Sequence, residues 1–336
     1  MGGGKKVVLS FMTNKNVFDV IVIGSGSAGF SAVEAARSQG ASVCVIEKDR
    51  LGGECPNYAC VPSKALLRAA AIYRQAGAVK EFGIEVSSRA FEWKRVMQYR
   101  QSVVETITGK GDVGDRYVVI LKQLKTEYRL GEAAFIDTHT VEVAGERLSA
   151  KAFVIATGTT DFIPPIPGLN RISFTGWKDA LRLPRKPKSM AIIGGGPVGC
   201  ELATFYASFG TRVVLLQGAP TILNREDEEI SARARDALTA LGVEVVVGAS
   251  VEEAVSGHVG VSGLRVRVGK QERMYAVEQV VVAAGKRART QGLGLEVVGV
   301  KLEGRGNVKT DATGRTSATH IFCAGDVDGG MQFTHT

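Results

Sequence analysis

Cysteine is scarce in this chain: five among 336 residues, at positions 44, 55, 60, 200 and 323. So odd and sparse a set argues for a reducing, cytoplasmic setting and against a disulfide scaffold. Proline is scarce too, nine against 41 glycines, a balance that suits an α/β chain with many tight strand-to-helix turns. Apolar runs stay shorter than the about eighteen residues that a membrane span needs, so none is expected. The leader, residues 1–16, holds a short apolar segment with no cleavage site after it. It lacks the pattern of a signal peptide and reads as an unstructured tail, with Met12 as an alternative start. The formal net charge is +8, yet no Lys/Arg block of five or six appears, so no nucleic-acid arm is expected. The most basic stretches, 182–188 and 286–289, read as a solvated surface with at most a weak attraction for anionic cofactors.

The length favours two domains. Phe18-Asp19-Val20-Ile21-Val22-Ile23 is the continuous apolar run of a buried parallel strand. Gly24-Ser25-Gly26-Ser27-Ala28-Gly29 follows, then a helical stretch over 30–39 and a second strand over 42–46. Glu47 ends that strand eighteen residues after Gly29. This is a dinucleotide fingerprint in its proper context of strand, turn, helix and strand. Gly24 permits the tight turn, Gly26 lets backbone approach a pyrophosphate, and Gly29 allows close helix packing. Ser27 and Ala28 open the helix, whose N–H groups and dipole favour phosphate. Glu47 can accept hydrogen bonds from a ribose, with Lys48 beside it.

The pattern recurs after the linker Pro164-Pro165-Ile166-Pro167-Gly168. A strand over 189–193 leads into Gly194-Gly195-Gly196-Pro197-Val198-Gly199, a helix over 200–209 and a strand over 212–216. Gly194, Gly196, Val198 and Gly199 make the second cradle. Gln217 stands where an NAD-specific site would carry an acid. Its neutrality removes repulsion against a ribose 2′-phosphate, which favours NADP over NAD. Arg225, eight residues on, could pair with that phosphate, or serve as an ordinary surface residue before the acidic run 226–229.

Between the two cradles lies Gly52-Gly53-Glu54-Cys55-Pro56-Asn57-Tyr58-Ala59-Cys60-Val61-Pro62-Ser63-Lys64. Three readings are open for Cys55 and Cys60: buried inert thiols, part of a zinc site, or a redox pair. Zinc needs about four ligands, and no second Cys or His pair lies nearby, so no metal site is assigned. A turn entering a helix over 63–76 favours the redox pair, because a helix N-terminus lowers thiol pKa. Residues 89–125 read as largely helical, with a polar break at Gly109-Lys110-Gly111-Asp112. Short stretches at 128–131, 133–136 and 140–143 read as a small hairpin layer, with His139 in a turn. Cys44 and Cys323 read as buried strand residues.

The stretch around Cys55 resembles the motif G-G-x-C-x-N-x-G-C-x-P-S-K of the flavin-dependent pyridine nucleotide–disulfide oxidoreductases, with Ala59 in place of a glycine. Lipoamide dehydrogenase, glutathione reductase and mercuric reductase belong to that family. The resemblance runs from about residue 17 to the last residue. It implies two Rossmann-like α/β domains, with the nicotinamide domain (161–284) inserted in the FAD domain (17–160 and 285–336). It implies FAD, with NADP or NAD as donor. Cys55 would be the interchange thiol facing a small-molecule or protein disulfide. Cys60 would face the flavin, and Lys64 would sit by its reactive nitrogen, paired across the domain interface with Glu201. Gly53, the closing Ala156-Thr157-Gly158, Gly285 and the Gly325-Asp326 signature complete the cofactor contacts, Asp326 accepting from the ribityl chain.

The family continues into an interface domain that makes its homodimer and supplies a His–Glu pair to the partner's disulfide. Neither His139, His258, His320 nor His335 sits in that context, so the usual homodimer is in doubt. So is the general acid, typically worth about 10²–10⁴-fold in rate. Mercuric reductase proper is disfavoured, because no terminal cysteine pair is present to deliver metal. Two rivals to a disulfide reductase are a flavin NAD(P)H oxidase or quinone-type reductase with accessory cysteines, and a cofactor-binding fragment without turnover.

Overall fold

A computed structural model describes residues 16–257 and 260–330. The readings of residues 1–15, Met12, His258, His335 and the segment 331–336 lie outside the described residues. The chain folds into two compact units. Of the described residues, the first comprises those within 1–55, 108–160 and 287–336, and the second those within 56–107 and 161–286.

In chain order the elements begin with β1 (Val17–Ile23), α1 (Ser27–Ser38), β2 (Val43–Glu47), α2 (Glu54–Tyr58), α3 (Cys60–Ala78), α4 (Trp93–Thr108) and α5 (Asp115–Gln123). Then come β3 (Glu127–Leu130), β4 (Ala133–Asp137), β5 (Thr140–Val143), β6 (Glu146–Ile155), β7 (Thr159–Asp161), β8 (Phe174–Gly176) and α6 (Trp177–Ala180). The second repeat supplies β9 (Ser189–Ile193), α7 (Pro197–Ser208), β10 (Arg212–Gln217), α8 (Glu228–Ala240) and β11 (Glu244–Val247). The last are β12 (Ala249–Ser256), β13 (Ser262–Val268), β14 (Gln271–Val277), β15 (Gln279–Val282), β16 (Lys286–Ala288), β17 (Leu302–Glu303), β18 (Asn307–Val308) and β19 (Ile321–Cys323).

The first unit is built on a seven-stranded sheet ordered β3-β2-β1-β6-β5-β4, with β19 also pairing to β6. Pairings β1–β2, β2–β3, β1–β6 and β6–β19 are parallel. Ile21, Val22, Phe153, Ile155 and Ile321 are fully buried, which is why these strands read as continuous apolar runs. The long β6 serves two ladders. Its start pairs antiparallel with β5 and its end parallel with β1 and β19. The hairpin layer expected from the sequence is corrected in one place: β3 leaves it and joins the parallel side, next to β2. The α5 helix ahead of it makes the crossover that a parallel strand requires.

The second unit carries a five-stranded parallel sheet, β11-β10-β9-β15-β8, and a three-stranded antiparallel sheet, β12-β13-β14. Residues 56–107 group with this unit, whereas the sequence reading placed them with the first. Packing is the reason. Leu66 and Ala70 of α3 are buried in one cluster with Leu202, Ala203, Phe205 and Tyr206 of α7. Arg74 Nη1 donates to Ser208 Oγ at 2.6 Å. Trp93 of α4 stacks near Phe205, 5.4 Å between centroids, and its Nε1 donates to the Leu183 carbonyl at 2.9 Å.

Truncating Leu66 to alanine removes a fully buried side chain and should cost about 2–5 kcal/mol. The expected outcome is a lower urea midpoint for the second unit, followed by Trp93 and Trp177 fluorescence. An unchanged midpoint would contradict the packing of α3 described here.

Candidate active site

The first cradle is set by one close approach. A Cβ at residue 29 would overlap the Gly24 carbonyl, and one at residue 24 would overlap the Ala156 carbonyl. Glycine at 29 brings α1 down onto the end of β1, and Gly24 takes a φ of 106° to make the turn. The α1 N-terminus begins at Gly26 with no side-chain cap and no acid in its first turn. A Cβ at Gly26 would meet nothing within 4 Å. A helix start without a side-chain cap, its positive dipole and open space suit a pyrophosphate. Ser27 and Ala28 lie in that first turn. Gly53 comes against Gly26, and Gly325 against Ala28. Asp326, half-buried, follows Gly325 and opens the short 3-10 turn after β19. Thr157 Oγ1 donates to the Arg289 carbonyl at 2.7 Å, and Arg289 N–H to the Gly158 carbonyl at 3.0 Å.

Glu47 is 9% exposed. Its Oε2 accepts from the Ser25 N–H at 2.9 Å and the Ser25 hydroxyl at 2.7 Å, and its Oε1 from the Asp49 N–H at 3.0 Å. A carboxylate offers about four acceptor positions, so capacity for a ribose hydroxyl remains. Lys48 turns aside to Glu132, 2.8 Å away. Ser25 is a residue the sequence reading passed over. Its Oγ also accepts from the Gly52 N–H at 3.2 Å, so one hydroxyl ties the fingerprint to the start of the cysteine stretch.

The second cradle repeats the first. A Cβ at Gly199 would overlap the Gly194 carbonyl, and one at Gly194 the Ala283 carbonyl. Gly285 follows with a φ of 116°. The α7 N-terminus starts at Gly196 with Pro197 and Val198, again without side-chain cap or first-turn acid. Gln217 Oε1 accepts from the Gly195 N–H at 2.9 Å, as Glu47 does from Ser25. The glutamine thus keeps the turn's hydrogen bond without its negative charge.

The expected turn before the cysteine helix is instead the five-residue helix α2, so Cys55 is helical and Cys60 is the first residue of α3. Both thiols are half-exposed. Cys200 is half-exposed as well, and Cys44 and Cys323 are buried. Burial pushes Cys44 and Cys323 up to about 12. Burial and then the Glu201 charge push Cys200 up to about 11. Lys64 Nζ donates to Glu201 Oε1 at 2.6 Å, the contact the sequence predicted. Both residues belong to the second unit, so α3 and α7, packed as neighbours, hold the pair together. With Lys64 61% exposed, the pair is worth about 0.2–1 kcal/mol at most. Its effect is to fix where the ammonium points.

The family model for pyridine nucleotide-disulphide oxidoreductases matches residues 18–336. The chain belongs to that family. It is 33% identical over 318 residues to mercuric reductase of Staphylococcus aureus, covering 95% of this chain and 57% of the relative. It is 37% identical over 323 residues to dihydrolipoyl dehydrogenase of Geobacillus stearothermophilus, covering 94% of this chain and 67% of the relative. The solved HOCl-induced flavoprotein disulfide reductase RclA of Escherichia coli superposes with a TM-score of 0.80 at 28% identity. That likeness covers 94% of this chain and 68% of RclA. The chain therefore spans little more than half the length of the mercuric reductase it matches.

Within this family member, sequence reasoning also missed Tyr117 on α5. Its ring covers Gly52, where any Cβ would overlap it, and lies 5.1 Å from the Phe30 ring. Burial and then the Cys55 charge raise its phenol pKa, which puts the phenol in the electrostatic neighbourhood of Cys55. No spacing rule links two residues so far apart in the chain. Among the described residues no group of three or more His, Cys, Asp or Glu could hold a metal ion, and no helix is long and apolar enough to cross a membrane.

The raised thiols give a pH test. A thiol with a pKa of about 12 is about 10⁻⁴ ionised at about pH 8, and the thiolate is the reactive form. Iodoacetamide mapping of the native reduced protein should label Cys55 and Cys60 first, then Cys200, and Cys44 and Cys323 last. Cys323 labelling as fast as Cys60 would contradict the assignment.

Proposed function

We propose that the protein is an FAD-dependent NAD(P)H:disulfide oxidoreductase, working in a reducing cytoplasm, that uses Cys55 and Cys60 as its redox disulfide. The observation that carries this reading is a pair of half-exposed thiols in a chain with two uncapped helix N-termini, each behind a glycine turn. The residues present fit the two nucleotides. Gly24, Gly26, Gly29, Gly53, Glu47 and Asp326 would hold FAD, and Gly194, Gly196, Gly199 and Gln217 the nicotinamide nucleotide. Bound there, FAD would take a hydride from NAD(P)H and pass two electrons to the disulfide.

The remaining steps belong to the chain. Freed as a thiolate, Cys55 attacks one sulfur of the acceptor disulfide and forms a mixed disulfide, and the first acceptor thiol leaves. Cys60 then attacks the Cys55 sulfur, releases the second thiol and closes Cys55–Cys60 again. One hydride and one solvent proton account for the two thiols formed. The family resemblance assigns Lys64 to the flavin's reactive nitrogen, and Glu201 orients its ammonium. Replacing Cys55 with serine should abolish disulfide reduction while NAD(P)H still bleaches the flavin under anaerobic conditions. Unchanged turnover would point instead to an oxidase or quinone-type reductase with accessory cysteines. A flavin that NAD(P)H does not bleach would point to a binding fragment.

NADPH is the favoured donor. Gln217 offers no carboxylate to repel a 2′-phosphate, and Arg225 is exposed eight residues on. Gln217→Glu should lower the NADPH-to-NADH ratio of kcat/KM about tenfold or more, the equivalent of one lost charge discrimination. A ratio that stays constant would assign coenzyme choice to other residues.

A further inference from the structure

Two histidines far apart in the chain meet within the first unit. His139 lies in the turn between β4 and β5, and His320 stands just before β19. Their ring centroids are 4.4 Å apart, with 31° between the planes. Each ring has one nitrogen on a backbone carbonyl: His139 Nδ1 on that of Ala150 at 2.9 Å, and His320 Nε2 on that of Thr138 at 2.6 Å. A carbonyl only accepts, so both of these nitrogens carry the hydrogen. That fixes the tautomer of each neutral ring, with the lone pair on His139 Nε2 and on His320 Nδ1. Neither atom has a hydrogen-bond partner among the described residues. His139 is exposed and His320 half-exposed, so solvent reaches the pair. Behind them the buried Phe153 ring stands at 73° to the His320 ring, 6.3 Å between centroids, and limits where that ring can turn.

One nitrogen held by a carbonyl and the other left open is the arrangement of a metal-ligating histidine. The spacing fits as well. Two imidazoles that bind one ion at about 2.0–2.1 Å and at a right angle have centroids about 4.5 Å apart, against about 5.2 Å at a tetrahedral angle. The observed 4.4 Å matches the right angle, which is the geometry of tetragonal nickel(II) and copper(II). Asp137 Oδ1 accepts from the His139 N–H at 2.8 Å, and its carboxylate in the same turn favours a cation nearby. We propose that His139 Nε2 and His320 Nδ1 together bind one divalent nickel or copper ion, with water in its remaining positions. Having two protein ligands, the site is open and its ion exchangeable. The bound ion joins the β4–β5 turn to the start of β19, the strand that leads into Gly325-Asp326.

The test uses the holoprotein with its accessible thiols capped by N-ethylmaleimide, so that sulfur takes no part. Equimolar copper(II) should give an electron paramagnetic resonance spectrum with superhyperfine splitting from two nitrogens. His139→Gln and His320→Gln should each reduce this to one nitrogen or none. Each should also weaken nickel(II) binding, read by calorimetry, about tenfold or more, since even loss of a ligand's hydrogen-bond partner costs about 10–100-fold. His258→Gln and His335→Gln should change neither reading. Copper still held by two nitrogens in the His139 or His320 variant overturns the proposal, and so does a wild type that shows one. A His258 or His335 variant that loses the signal puts the ion elsewhere and overturns it too. If a variant fails to fold, the wild type still decides. Nickel(II) should protect His139 and His320 from diethyl pyrocarbonate, mapped by peptide mass spectrometry, and equal modification with and without the ion overturns the proposal.

Discussion

The contact on which the molecule depends is a helix pressed against the turn that precedes it. The carbonyl of Gly24 occupies the space that a side chain at residue 29 would need, and the carbonyl of Gly194 does the same at residue 199. Because both positions are glycine, α1 and α7 descend onto the ends of β1 and β9. Their N-termini, without side-chain caps, then lie at the carboxyl edges of two parallel sheets. In an open parallel sheet that edge is where ligands bind. Each cradle is closed from behind by a second small-residue strand end, Ala156-Thr157-Gly158 in one unit and Ala283-Ala284-Gly285 in the other. The two cradles are thus one device made twice, differing chiefly in the residue at the end of the second strand. Glu47 brings a charge there, and Gln217 brings only a carbonyl dipole.

Burial sorts the five thiols by task. Cys44 and Cys323 lie in the packed sheet of the first unit, where the ionised form is penalised by lost solvation. Cys200 is held back by burial and by the carboxylate next to it. Cys55 and Cys60 keep access to solvent. The same economy governs Lys64. Its ammonium is anchored by Glu201 from a helix against which its own helix is packed, so a solvent-exposed pair of modest strength still has a defined direction. The redox helix and the second cradle share a core, and that shared core fixes the relation between Lys64 and Glu201.

Much of this was legible in the residues. Both fingerprints carry their cue locally, since strand, turn and helix follow within one stretch and each glycine answers a local steric demand. The Lys64–Glu201 contact was available from the family's motif. Other features were not legible. The short β3 alternates like a hairpin strand, and its parallel partnership follows from the α5 crossover ahead of it. The allegiance of α3 and α4 to the second unit depends on Leu66, Ala70 and Trp93 meeting Phe205 and Tyr206, a complementarity of faces that chain order does not reveal. The short helix α2 was hidden because Gly52, Gly53 and Pro56 read as turn residues.

By itself the sequence determined what its local rules reach: two nucleotide cradles, a cysteine pair at the head of a helix, and a neutral residue where the second cradle's acid would stand. Each of these is decided by neighbours within one β-α-β stretch. Only the tertiary structure decided which distant side chains surround the cysteines. It brought the ring of Tyr117 over Gly52, the hydroxyl of Ser25 between Glu47 and Gly52, and the guanidinium of Arg182 over the ring of Tyr58. The physical reason is that burial and charge act through space. A raised phenol owes its state to groups that packing delivers from far along the chain.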